Sequence, residues 1–391
     1  MRKLSLHVIG TVVLSVLAVC ITFAGGYQIN EQGARAVGMG GAFVARASDP
    51  SAIYYNPAGL TSQNGINILA GMDLIIPSTS FTGSTPLPTT AVSTNSKVFT
   101  PINLYGTYKV DDNIVVGLGI YNPFGLGTEW PSNWIAAAAA IKTNVSTWYF
   151  NPSVGYKIND DISVGLGISY VYGSATLTTS HVSLDGTGSG FNVNIGAIYK
   201  PMTGLSVGLS YRTETDIKFS GTATTPYGSG SGDALLPMPG NLKLGAAYDV
   251  MPELTLEADL QYVQWGAYKN LYINFPAPVG TVQEIKNWND EPIVRVGAEY
   301  KYDADLTLRG GLIMDLTPQP VSTTEPMLPD ADRYDISLGA SYKIDNNWCV
   351  DAAYMLVLFK DKTVGSTNIY LHPGTYSSTA HIINVNVGYT F

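Results

Sequence analysis

Eight charged residues fall in strand-like stretches, on the phase that alternates with apolar side chains: Arg212, Lys243, Glu257, Asp259, Arg295, Glu299, Arg309 and Asp351. An ammonium or guanidinium shielded from bulk water binds carboxylates strongly, and arginine does so with two parallel hydrogen bonds. Lys243, Arg295 and Arg309 are therefore candidates for holding the carboxylate of a ligand, beside the plainer expectation that most of these charges pair with one another or face water. Hydrolytic chemistry is poorly served. Beyond the N-terminal leader only His181, His372 and His381 occur, and the first two fall in connecting segments without a Gly-x-Ser-x-Gly sequence or an adjacent acid. Asp330, Asp332 and Asp335 cluster in one connection but lack the ligand spacing of a cation-binding loop. No enzymatic activity, metal or cofactor is expected.

The elements that carry these charges alternate with a period of two. Ile162, Val164, Leu166, Ile168 and Tyr170 are separated by Ser163, Gly165, Gly167 and Ser169, and Leu205 to Arg212 and Asn384 to Phe391 repeat the pattern. Six alternating runs end on a tyrosine followed by a short polar turn, beginning at Tyr108, Tyr156, Tyr199, Tyr248, Tyr300 and Tyr342, and a seventh ends the chain at Tyr389-Thr390-Phe391. Six turns join twelve strands; the first strand and the last make fourteen. Connections at the opposite ends are longer and polar, as from Ser78 to Ser96 and from Ser220 to Ala234. Short turns on one side, long loops on the other and aromatics at one level of the apolar face are features of an antiparallel transmembrane β-barrel, and argue against a soluble sandwich. On the lipid face a charge is costly, so the charged phase must point into the lumen.

Composition agrees. Of 391 residues only 13% are charged, while Gly numbers 41 and Tyr 25. Beyond the N-terminus no apolar run approaches the ~20 residues of a membrane-spanning helix. Arg2 and Lys3, the apolar stretch Val8 to Phe23 and the small Ala24 predict a signal peptide over residues 1–24. A net charge of -9 disfavours nucleic acid as a partner. With Cys20 in the leader, Cys349 has no partner for an intramolecular disulfide.

Residues 25–62 fit neither period. Gly33, Gly38, Gly40 and Gly41 alternate with small apolar residues, and the stretch closes on Tyr54-Tyr55-Asn56-Pro57-Ala58. This predicts a compact insert, in which glycine permits close approach and Asn56-Pro57 fixes a turn. A lumen of fourteen strands is too wide for side chains alone to fill. The inward-phase glycines Gly196, Gly208, Gly245, Gly297, Gly339 and Gly388 would leave room for the insert. The expected organisation is thus a plug, residues 25–62, inside a barrel formed by residues 63–391.

Gly26-Tyr27-Gln28-Ile29-Asn30-Glu31, the run Gly38 to Ala42 and Asn56-Pro57-Ala58 resemble the N-terminal plug of the outer-membrane long-chain fatty acid and hydrocarbon transport family, the FadL/TodX type. Tyr211-Arg212-Thr213-Glu214, Gln261 to Trp265, Ile313 to Pro318 and Leu328 to Tyr334 extend the resemblance over nearly the whole chain. It implies passive uptake of a hydrophobic ligand across the outer membrane, with Tyr27 as the aromatic tip of an N-terminal segment in the binding pocket and Asp315 as its anchor. The connection between Thr178 and Gly190 is shorter than the loop that forms the outer groove in fatty-acid members. The terminal Phe391 resembles the signal read by the barrel assembly machinery, and a monomer in contact with outer-membrane lipids is expected. One strand is interrupted: Val116, Leu118 and Ile120 alternate cleanly, but Asn122-Pro123-Phe124-Gly125 breaks the ladder, because proline removes a hydrogen bond and glycine tolerates a bend. The resemblance implies an inward kink here and a lateral opening in the wall. The alternative is a general diffusion porin for small polar solutes, which requires an open lumen.

Overall fold

The computed structural model describes residues 25–391, so the expected signal peptide lies outside the described residues. Fourteen antiparallel strands form a closed barrel: β1 (Ile66–Gly83), β2 (Ile102–Lys109), β3 (Ile114–Tyr121, resuming as Gly125–Glu129), β4 (Lys142–Lys157), β5 (Ile162–Thr178), β6 (Ser183–Met202) and β7 (Leu205–Arg212 and Thr215–Thr225). The second half comprises β8 (Gly228–Met238 and Asn241–Met251), β9 (Leu254–Val263 and Asn270–Asn274), β10 (Thr281–Ile285 and Glu291–Lys301), β11 (Leu306–Asp315), β12 (Arg333–Lys343), β13 (Trp348–Phe359) and β14 (Gly374–Thr390). Closure is made by β1 against β14, paired from Asn67↔Thr390 to Gly83↔Gly374. All six tyrosine turns fall between successive strands at one end of the barrel. Among the described residues no helix is long and apolar enough to cross a membrane.

Alternation sets the two faces. On β5, Leu166, Ile168, Tyr170 and Tyr172 are exposed, whereas Gly167, Ser169, Val171 and Gly173 are buried. The same holds around the ring, leaving an apolar outer surface that only lipid can cover. Pairing β1 with β14 removes the two outer edges of the sheet, as hydrocarbon requires.

Two connections differ from expectation. Thr178 pairs with Ser183 and Thr225 with Gly228, so the segments around 178–190 and 220–234 are hairpins that prolong the strands rather than loops. Serine, threonine and glycine there erase the apolar alternation without preventing backbone pairing. Within β7 the phase also inverts. Asn194 faces Arg212, but Thr187 faces Ser220, one residue out of register, because Thr213 and Glu214 form an irregularity. Beyond it Ile217 and Phe219 point inward and Asp216, Lys218 and Ser220 outward, so the outer part of β7 stands in water with an apolar interior.

Residues 27–62 lie inside this ring as two short helices, α1 (Ala34–Gly38) and α2 (Ala52–Tyr55), and a 3-10 turn (Pro57–Ser62). Met39, Phe43, Ala47, Ile53, Tyr55 and Leu60 are buried, the larger ones each contributing on the order of 1.5–3 kcal/mol. Five of the six inward glycines named from the sequence face this insert. A β-carbon at Gly297 would lie 2.8 Å from Met39 Cβ, at Gly339 2.8 Å from Gly38 Cα, at Gly208 2.7 Å from Ala45 Cα, at Gly245 3.1 Å from Val44 Cβ and at Gly196 2.9 Å from Pro57 Cδ. Gly388 faces Leu69 instead.

Candidate functional site

Polar anchors seat the insert. Asn56 caps the 3-10 turn by accepting from Ala58 N at 3.1 Å, and its amide donates to Val44 O at 2.8 Å and to Ala197 O of β6 at 3.1 Å. Asp259 on β9 accepts from the backbone N–H groups of Phe43 and Val44 at 2.8 and 3.0 Å, and Glu257 from Ala45 N at 2.7 Å. Glu299 on β10 collects three guanidinium groups: Arg35 at 3.0 Å and Arg46 at 2.6 Å from the insert, and Arg309 at 2.7 Å from β11. Each of these three carboxylates accepts at least one hydrogen bond from the insert, as a charge taken out of water requires.

The three cations expected to hold a ligand carboxylate therefore stand among anchors of the insert. Arg295 donates to Gly40 O at 3.0 Å, and Arg309 is shared between Glu299 and Asp351, 3.8 Å away. Lys243 lies 4.5 Å from the centre of the Tyr54 ring and 5.4 Å from that of Tyr55. Asp315 pairs with Arg333 at 2.6 Å, close to Gly25 at the start of the described chain. None of the four lines the main cavity.

That cavity lies elsewhere, in the outer part of the barrel, and spans about 700 Å³ including the part open to solvent. Its walls are Leu126 of β3, Val145 of β4, Ala175 and Leu177 of β5, Phe219 of β7, Leu236 of β8 and Leu271 and Ile273 of β9, with Tyr268, Trp288, Met327 and Leu328 from the connections. Sequence reasoning missed these residues because it expected the lumen face to be polar or small. The inverted phase at Ile217-Lys218-Phe219 was the signal that could have found them.

Tyr27 joins the cavity to the insert. Its ring packs 4.6 Å from Trp265 and 5.9 Å from both Tyr268 and Trp288, and its hydroxyl donates to Pro237 O. The backbone around it completes the broken strand: Gly125 N donates to Tyr27 O at 3.0 Å and Ile29 N to Pro123 O at 2.8 Å. Asn122, Pro123 and Phe124 thus leave the β2 ladder and turn towards the N-terminal segment, with Asn122 held by Thr147 O and Phe124 buried 6.1 Å from the Tyr27 ring.

The consequence shows in the wall. Beyond Tyr121 the resumed part of β3 pairs with β4, from Gly125↔Ser146 to Glu129↔Lys142, and has no strand ladder on its other edge among the described residues. There the strip 92–101 crosses from β1. It is fixed to β3 by Asn95 N donating to Glu129 O at 2.7 Å and by the Lys97–Glu129 ion pair. A smaller cavity of about 290 Å³ opens between Pro77, Lys97, Phe99 and Gly127. Leu126 of the resumed β3 lines the main cavity, and Gly125 beside it is bonded to the N-terminal segment.

The sequence profile of the outer membrane protein transport protein family (OMPP1/FadL/TodX) matches residues 15–391. Among named relatives, the long-chain fatty acid transport protein of Escherichia coli O6:H1 is 26% identical over 85% of this chain and 87% of its own. Outer membrane protein P1 of Haemophilus influenzae is 26% identical over 74% of each. Among solved structures, a Pseudomonas aeruginosa FadL homologue superposes with a TM-score of 0.85 at 19% identity, covering 94% of this chain and 100% of that one. The Pseudomonas putida toluene transporter TodX gives 0.74 at 18% identity, covering 95% and 99%. The chain belongs to the outer membrane protein transport protein family (OMPP1/FadL/TodX), as a β-barrel of the outer membrane.

Proposed function

We propose that the protein is a passive conduit for small hydrophobic molecules, which enter the apolar cavity from outside and leave sideways through the seam beside the interrupted β3. The observation that supports this reading is that Leu126, in the wall of the apolar cavity, belongs to the resumed part of β3, which is paired as a ladder on its β4 edge alone among the described residues. A hydrophobic molecule leaving sideways avoids the aqueous periplasm, whose crossing would cost about 25 cal/mol per Å² of apolar surface. The insert acts as a plug against polar solutes, and this disfavours a general diffusion porin. Replacing Pro123 by Val and Gly125 by Thr should restore the ladder. A β-carbon at Gly125 would meet Ile29 Cδ1 at 2.7 Å, so the variant is checked first for ligand quenching of tryptophan fluorescence. Binding retained with hydrophobic uptake lost supports the lateral route; undiminished uptake by the folded variant removes it.

A further inference from the structure

The main cavity is apolar almost throughout, and one formally charged residue, Glu325, stands in its wall. Glu325 belongs to the connection between β11 and β12 and is buried with Lys286, from the connection inside β10. Lys286 is fully buried and pairs with Glu325 and, at 2.7 Å, with Glu284. Its backbone is fixed as well, since Thr323 Oγ1 donates to Lys286 O at 2.6 Å and Tyr370 OH to Ile285 O at 3.0 Å. One ammonium against two carboxylates leaves this cluster with an excess negative charge. Among the described residues no lysine, arginine or histidine lines the cavity to offset it. The indole N–H of Trp288 and the hydroxyl of Thr143, buried at the cavity without acceptors, are neutral donors.

A ligand that brought its own carboxylate into this space would meet a negative wall in a low-dielectric surrounding and find no cation free to receive it. A neutral hydroxyl would find the opposite: a carboxylate that accepts its proton donor, and donors with unfilled valence. Building on the transport reading above, we propose that Glu325 is a specificity-determining residue, which makes the cavity select uncharged aromatic or aliphatic molecules, preferring those with one hydroxyl, and reject carboxylates.

The test uses three ligands of one shape, toluene, p-cresol and p-toluate, titrated at pH 8 into the detergent-solubilised full barrel with tryptophan fluorescence as the readout, Trp288 being in the cavity wall. The expected order is p-cresol at least as tight as toluene, and p-toluate about tenfold or more weaker than toluene, as follows from like charges at close range. Glu325→Gln leaves Lys286 paired with Glu284 alone, so it should narrow the p-toluate deficit by about tenfold and abolish the p-cresol advantage. An unchanged p-toluate deficit in the folded variant would overturn the role of Glu325, and should the variant fail to fold, a wild-type deficit that stays flat from about pH 8 to about 5.5 would do the same. Toluene and p-toluate binding equally well would overturn the selection while leaving the cavity as a hydrophobe site. No binding by any of the three would overturn the transport reading itself, and this inference with it.

Discussion

Replacing Glu299 by Gln removes the charge at the centre of the insert's ionic anchor. Arg309 keeps Asp351 at 3.8 Å, but among the described residues Arg35 and Arg46 have no other carboxylate within ion-pair distance. Breaking a buried pair by removing one partner costs about 3–5 kcal/mol. The two insert arginines retain 20% and 17% side-chain exposure, and glutamine still offers one acceptor, which together reduce the cost to about 2–4 kcal/mol. That energy falls on the seated insert and not on the strand ladders, so the ratio of displaced to seated states should rise about 30- to 1,000-fold. Single-channel recording in planar bilayers reads this directly: brief openings, rare in the wild-type protein, should become frequent in the variant. An unchanged opening frequency, in a variant whose heat-modifiable migration shows an intact barrel, would refute the claim that this cluster holds the insert in place.

Asn56→Ala leaves Val44 O, Ala197 O and Ala58 N without their buried partner, a loss of about 2–4 kcal/mol that should raise entry of large antibiotics while the barrel itself melts as before. The pH dependence of selection has a defined sign. Burial pushes the Glu325 carboxyl above the ordinary carboxylate range, against the pull of Lys286 and with Glu284 adding to the rise; Lys286 stays charged, and Tyr268 and Tyr370 complete the surroundings. Protonation therefore sets in nearer neutrality than for a free glutamate. The rejection of p-toluate should weaken as pH is lowered from about 8 to about 5.5, and a flat ratio of p-toluate to toluene affinity over that range would contradict it.

Much of the architecture was legible because a period of two and a tyrosine-marked turn are local signals. Ile162 to Tyr170 can form only one kind of strand, and each turn after Tyr108, Tyr156 or Tyr342 falls where its residues demand. The glycines suggested room for an insert, and Gly297 and Gly339 are two that Met39 and Gly38 approach, although relief of strand curvature is a compatible reason for glycine there. Partnership was not legible. Arg35, Arg46 and Arg309 converge on Glu299 from positions 10 to 264 residues away, and no periodicity encodes that. The cavity was hidden for another reason: Phe219 lies between the outward Lys218 and Ser220, on the phase opposite to the one that the lipid-facing pattern sets, and the stretch 220–234 that follows reads as a polar loop. Glu325 and Lys286 meet only because two outer connections cross above the strands.

The central claim is transport past an insert that stays seated. In a Cys349→Ser background, Thr61→Cys and Ser163→Cys replace two hydroxyls whose oxygens lie 2.9 Å apart by thiols, and oxidation would tie the last turn of the insert to β5. The decisive measurement is the rate at which cells carrying the cross-linked protein take up labelled toluene, compared with the same protein reduced. Equal rates are predicted, since the route leaves through the seam at β3; uptake abolished by the cross-link and restored by reduction would contradict the account.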